Sequence, residues 1–106
     1  MAVYVDDMYL QPLNRYGRMN RSHMTADNDL ELHEMARKIG VDLNWYQGDH
    51  YNICLSKRWA ALEHGAIPIT MREMAVRVRR KKIARANRVL ERSMNERRPK
   101  WADYLY

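Results

Sequence analysis

Asn28-Asp29-Leu30-Glu31-Leu32-His33-Glu34-Met35-Ala36-Arg37-Lys38-Ile39-Gly40 decides the architecture. Leu32, Met35, Ala36 and Ile39 recur at i, i+3, i+4 and i+7, which is one apolar face of a helix. Asn28 is a good N-cap, Glu31 stands where a capping box places its acid, and Gly40 falls just past the last turn. Upstream, His23-Met24-Thr25-Ala26 is short and β-prone, and Ala2-Val3-Tyr4-Val5 is another such run that stops at Asp6-Asp7. Downstream, Leu43-Asn44-Trp45-Tyr46 predicts a strand, Gly48-Asp49 a turn, and Tyr51 to Leu55 further extended chain. Ser56 predicts the cap of a second helix, Lys57 to His64, closed by Gly65. Ala66-Ile67-Pro68-Ile69 reads as a strand at a sheet edge, because proline has no N–H to give a ladder. Thr70-Met71-Arg72-Glu73 is a capping box and opens a helix expected to reach about Asn95, with Pro99 stopping any continuation.

Strand and helix alternate, so the predicted class is α/β. The expected architecture is a small sheet of three to four short strands, partly parallel, with two short helices and a long basic C-terminal helix. The 106 residues make one domain's worth of chain. Residues 1–70 are expected to form the body, 71–98 a basic amphipathic helix packed on it, and 99–106 an aromatic tail. Residues 8–22, with Pro12, Asn14, Gly17 and Asn20, make a long loop for so small a body and a candidate recognition loop.

Apolar residues reach 46%, enough for a core, yet there is no Phe, so seven Tyr, three Trp and eight Met must supply the bulk. That make-up would suit a homodimer. Cys54 is the single cysteine, which rules out an internal disulfide and a cysteine-based zinc cluster. Its apolar run, Tyr51-Asn52-Ile53-Cys54-Leu55, predicts a buried, inert thiol, and the usage fits a reducing cytoplasm. No stretch has the length of a membrane span, and the N-terminus lacks the pattern of a signal peptide.

Charge is unevenly spread. From Arg72 to Lys100 twelve Lys/Arg face three Glu, a local +9, so the remaining seven Lys/Arg and ten Asp/Glu leave −3 of the total +6. Arg77, Lys81, Arg85, Arg88 and Arg92, spaced by four, four, three and four, form one basic stripe. Val76, Ile83 and Leu90, with Ala86 and Met94, form an apolar stripe on another face. Like charges at i+4 repel, and phosphates would relieve that repulsion; arginine suits bidentate phosphate contact. The same run also fits a solvated face, or a helix salt-bridged to an acidic body.

Asp7, His23, Asp49 and His50 are candidates for an acid–base or divalent-metal centre, since these side chains suit a hard cation or a general base. Neighbouring residues on a strand face opposite ways, so only one of Asp6 and Asp7 can point at such a site. Each has a bland reading as well: turn chemistry for Asp49 after Gly48, and helix packing for His33. No P-loop, dinucleotide fingerprint, serine elbow or zincin spacing is present.

Several segments together resemble a small uncharacterised bacterial and phage family, domain of unknown function 4031. They are Met1 to Asp7, Ser22 to Asp27, Glu31 to Ala36, Trp45 to Tyr51, Lys57-Arg58 and Gly65-Ala66. The resemblance spans about residues 1–70 and leaves the basic helix outside. It implies a phage or bacterial cytoplasmic origin and a polar cluster of Asp7, His23, Asp27, His33, Gln47, His50 and Tyr51. Asp27, His33, Gln47 and Tyr51 are then candidates to line a ligand pocket. The family pattern has His-Tyr-Asp where this chain has His50-Tyr51-Asn52, so a role for that carboxylate would be lost here.

The expected function is non-enzymatic binding of nucleic acid or a nucleotide through the basic helix, with RNA favoured over a specific DNA sequence. No cofactor and no membrane partner are expected. One alternative is a metal-dependent nuclease or phosphodiesterase using a divalent metal at Asp7, His23, Asp49 and His50. Another is a phage inhibitor or sponge that captures a host protein or nucleotide.

Overall fold

The computed structural model describes residues 2–12 and 20–97. Strands β1 (Val3–Val5), β2 (Arg21–Ala26), β3 (Tyr51–Cys54) and β4 (Ile67–Pro68) form one sheet in the order β3-β2-β1-β4. β2 runs antiparallel to both β1 and β3, and β4 runs parallel to β1. Helices α1 (Asp29–Lys38), α2 (Leu55–Glu63) and α3 (Met71–Arg97) complete the α/β architecture.

Register sorts the side chains between the two faces of the sheet. Val3 pairs with Ala26, Val5 with Met24, Met24 with Tyr51 and Ser22 with Ile53, so these residues share one face. All are buried, and they meet Leu32, Met35, Ala36 and Ile39 of α1 and Ala61 of α2. The periodic face of the α1 sequence is thus the core face. Tyr4, Thr25, His23 and Asn52 fall on the opposite face by the period-two rule. There α3 crosses the sheet: Arg77 stacks on the Tyr4 ring at 3.7 Å, Lys81 reaches Thr25, and Met74 is buried.

Local signals mostly act as expected. The Asn28 side chain accepts from the Leu30 N–H at 2.7 Å and starts α1. Glu31 does not complete the box; its Oε1 is buried without a partner. Thr70 Oγ1 accepts from the Glu73 N–H, and Asp7 Oδ1 accepts from the Met71 N–H at 3.0 Å, so two side chains cap α3. At about 1.5 Å per residue α3 is about 40 Å long. The molecule measures 61 × 31 × 22 Å, so the helix runs well past the sheet.

Four expectations need correction. Leu43 to Tyr46 is not a strand: Leu43–Trp45 is a 3₁₀ turn, started by Asp42 Oδ1 accepting from the Asn44 N–H at 2.9 Å. An aspartate that bonds its own backbone two residues on favours a turn over a ladder. Cys54 is exposed, because β3 alternates and spends its inward positions on Tyr51 and Ile53. The α2 helix begins at Leu55 with Cys54 at the N-cap, so Ser56 already lies inside it. The apolar stripe of α3 also packs differently from the reading above. Met71, Met74 and Val78 line the sheet side, while Val76, Ile83, Leu90 and Met94 are exposed. The aromatic tail and residues 13–19 of the candidate recognition loop lie outside the described residues.

Candidate functional site

The site lies on the α3 side of the sheet, where β1 ends. The antiparallel pairing of β1 and β2 continues one step past Val5, with the Asp6 N–H donating to the His23 carbonyl at 3.1 Å. Asp6 and His23 are therefore cross-strand neighbours on one face. Asp6 Oδ2 meets His23 Nδ1 at 2.7 Å, and Asp6 Oδ1 accepts from the backbone N–H of His23 at 2.9 Å and of Met8 at 3.2 Å. Arg58, itself buried, donates from Nε to the Asp6 carbonyl. Asp6 is fully buried.

A second dyad faces the first. Asp49 Oδ1 holds Nδ1 of His50, and the Asp49 carbonyl accepts from Thr25 Oγ1 at 2.7 Å. Asp49 is 2% exposed, and its Oδ2 has no hydrogen-bond partner; the Arg85 guanidinium stands 4.0 Å away. The His23 and His50 rings meet edge to face with centroids 5.1 Å apart. Their side chains remain 28% and 16% exposed, so solvent reaches them while the carboxylates behind them are sealed. Beside the rings is a cavity of about 230 Å³, walled by Met71, Met74, Ala75 and Val78, with Lys82 at its edge.

Of the four residues expected to form a catalytic centre, the structure brings together His23, Asp49 and His50. Asp7 is elsewhere, capping α3, and Asp6 takes its place. The signal for this was alternation: with Val3 and Val5 inward, Asp6 and not Asp7 must share the face of Tyr4. Among the described residues no group of three or more His, Cys, Asp and Glu side chains is placed to hold a metal ion. Asp6 is committed to imidazole and backbone N–H groups instead, and Asp49 Oδ1 to imidazole.

The four candidate pocket residues separate. Asp27 is exposed and pairs with Arg77 at 3.3 Å. Gln47 lines a different cavity, of about 390 Å³, with Arg21, Trp45, Asn52, Cys54 and Lys57. His33 and Tyr51 bond on the core face at 2.7 Å, beside the Tyr46 ring. Asn52 pairs in register with His23 and is exposed.

The basic stripe divides in two. Arg77, Lys81 and Arg85 turn onto the body. Lys81 Nζ donates to the Asp29 carboxylate at 2.6 Å and to the Asp49 carbonyl at 2.8 Å, and Arg85 donates to the Gly48 carbonyl at 2.9 Å. Gly48 has φ +96°, a backbone conformation that favours glycine, and the Arg85 guanidinium rests against its Cα, so a side chain there would also push that guanidinium aside. Arg88 joins Lys81, Arg85, Asp27 and Asp29 around a cleft of about 480 Å³, and Arg92 lies farther out. Arg79, Arg80, Lys82, Arg88 and Arg92 are exposed, and among the described residues they form no ion pair with an acid.

Burial alone would raise the pKa of Asp29, but the bond from Lys81 and the nearby Tyr46 hydroxyl outweigh it and hold the carboxyl below its ordinary 3.8. The Tyr46 hydroxyl is pushed far up by burial and by the Asp29 carboxylate, so it stays a donor, here to the Gly48 carbonyl at 2.7 Å. A depressed carboxyl pKa stabilises the fold above the unfolded-state value and ceases to do so as pH falls through the folded one. The stability gap between wild type and Asp29→Asn should be complete at neutral pH and shrink once pH drops below about 4. Urea unfolding at several pH values measures it, and a constant gap down to pH 3 would remove this ion pair from the account.

The exposed Cys54 thiol is bonded to Ser56 Oγ at 3.2 Å; that bond and backbone N–H groups at the start of α2 hold its pKa below the ordinary thiol value. More of it is thiolate at neutral pH than without that bond, so Ser56→Ala should slow the reaction of Cys54 with a disulfide reagent. Equal rates for the two proteins would show that the hydroxyl has no influence.

The family model for proteins of unknown function DUF4031 matches residues 3–81, which takes in both dyads, the core and the first turns of α3 up to Lys81. The match therefore reaches past residue 70 into the basic helix. Comparison with curated proteins and with solved structures finds no match. No helix among the described residues is long and apolar enough to cross a membrane. With three quarters of its length inside that match, the chain belongs to the DUF4031 family.

Proposed function

We propose that the protein binds the phosphate backbone of nucleic acid, single-stranded RNA first, through the exposed cations of α3, on its anchored turns and on its overhanging part. The observation that carries this is the outward set of Arg79, Arg80, Lys82, Arg88 and Arg92, left without acidic partners among the described residues while Arg77, Lys81 and Arg85 anchor the helix. A cationic rod projecting from a net-acidic remainder is the electrostatic footprint expected of such a protein. The residues that hold the fold and those that would meet phosphate are thereby different. The cleft at Lys81 and Arg88 contributes less, because Asp27 and Asp29 line it too.

Phosphate neutralisation releases counterions, so affinity for single strands falls with salt at a log–log slope of about −0.7 per contact. Five contacts predict a slope of about −3 to −4 on single-stranded RNA, read by fluorescence anisotropy between about 50 and 300 mM salt. Absence of binding at the low end, or a slope near zero, refutes the reading.

A further inference from the structure

We propose that His23 and His50 act together as a general acid and a general base that cleave the phosphodiester backbone of RNA, with Lys82 beside the scissile phosphate. The choice of RNA rests on the backbone-binding reading; the acid–base pair itself does not.

The geometry leads to this in steps. In both rings Nδ1 is taken by a buried carboxylate, so Nε2 is the nitrogen left for proton exchange. A carboxylate at Nδ1 fixes ring orientation and tautomer and steadies the imidazolium that forms when Nε2 takes a proton. Two imidazoles prepared in this way stand 5.1 Å apart, both partly exposed. Sealing Asp6 and Asp49 from water is costly, and well-packed apolar residues would hold the sheet as firmly. An imidazole can accept a proton at a free Nε2 or give up one held there, so one ring of such a pair can accept while its neighbour donates.

The substrate class follows from what surrounds the pair. Among the described residues the adjoining cavity is lined by Asp6, His23, His50, Met71, Met74, Ala75, Val78 and Lys82, with no hydroxyl or thiol side chain. Among these described residues, then, the site presents groups placed for proton transfer and charge, and no hydroxyl or thiol to attack phosphorus. At about 230 Å³ the space admits a phosphate group and not a whole nucleotide. A nucleophile carried by the substrate fits this lining, and the 2′-hydroxyl of RNA is one placed next to its own phosphorus.

The step balances without a further reactant. One neutral imidazole takes the 2′-hydroxyl proton at Nε2 as O2′ bonds to phosphorus. The other, as imidazolium, gives its Nε2 proton to O5′ as the P–O5′ bond breaks. The products are a 2′,3′-cyclic phosphate end and a 5′-hydroxyl end, and exchange with water restores the rings. Lys82 offsets charge on the non-bridging oxygens.

The test uses the full chain with a chelator present, and three substrates: single-stranded RNA, DNA of the same sequence, and the dinucleotide UpA. The expected result is RNA fragments ending in cyclic phosphate, DNA left intact, and UpA cleaved slowly. His23→Gln and His50→Gln should each lower the rate about 10²- to 10⁴-fold, the range of general acid–base assistance, while the Kd for DNA stays within twofold of wild type. Urea midpoints confirm that the variants are folded; if one is not, Lys82→Ala, an exposed position, should still slow cleavage about tenfold or more. Intact UpA and RNA under these conditions overturn the proposal, as does cleavage at the wild-type rate by either histidine variant. UpA is too short to need the overhanging helix, so cleavage of UpA without binding of RNA or DNA would sustain the dyads and remove the backbone reading. Binding of RNA without cleavage would do the reverse.

Discussion

Asp6→Ala is expected to lose about 3–5 kcal/mol of folding stability, because it removes one buried acceptor shared by three donors. Asp6 is fully buried and accepts three hydrogen bonds, from the Met8 N–H, the His23 N–H and the His23 ring. Alanine leaves all three donors facing a space that water does not readily fill, and each unsatisfied group costs about 1–3 kcal/mol. Its neighbour supplies the control. Asp7 caps the first turn of α3 through Met71, so Asp7→Ala should cost about 1 kcal/mol, the usual loss of an N-cap. Urea midpoints compare the two directly. A cost for Asp6→Ala no greater than for Asp7→Ala would contradict the place given to Asp6 beneath the site.

The second large effect concerns α3. Replacing Arg79, Arg80, Lys82, Arg88 and Arg92 together with glutamine should weaken single-stranded RNA binding on the order of a hundredfold or more near 0.1 M salt and flatten its salt dependence. The fold should hardly respond, since exposed side chains away from special features usually contribute within about 0.5 kcal/mol each. Gln at Arg77, Lys81 and Arg85 should do the opposite. Those residues fasten the helix to Asp27, Asp29, the Gly48 and Asp49 carbonyls and the Tyr4 ring, so their loss lowers the urea midpoint and touches phosphate only indirectly. If the anchor variant loses affinity while the outward variant keeps it, the division of the stripe has been drawn the wrong way round.

The elements written in local chemistry were readable from the sequence. The α1 helix announces itself by period, cap and closing glycine, and α3 by its capping box. The Val3–Val5 strand and the edge position of Pro68 followed from composition. Leu43 to Tyr46 misled because its apolar residues match a strand, whereas Asp42 decides the backbone by bonding Asn44. Cys54 misled because an apolar run does not say which of its alternate positions face inward.

The site was legible as a set of residue types and not as an arrangement. His23, Asp49 and His50 could be named, but their union depends on the pairing of β2 with β1 and β3, contacts between segments far apart in the chain. The same long-range register chooses Asp6 over Asp7. The stripe on α3 was visible as a 3.6-residue pattern; that three of its cations are spent on the body required knowing where Asp27, Asp29 and Gly48 come to rest.

Lys81 is bound to Asp29, to the Asp49 carbonyl and, at 3.5 Å, to Thr25 Oγ1, and the family match ends at that residue. Past it, Arg85 alone among the described residues ties the helix down by hydrogen bonds to the body. From about Arg88 onward, then, length and charge can be rewritten with little toll on the core, as a handle can be exchanged on a fixed tool head. That distal stretch of the helix can therefore change without reopening the problem of how the domain folds.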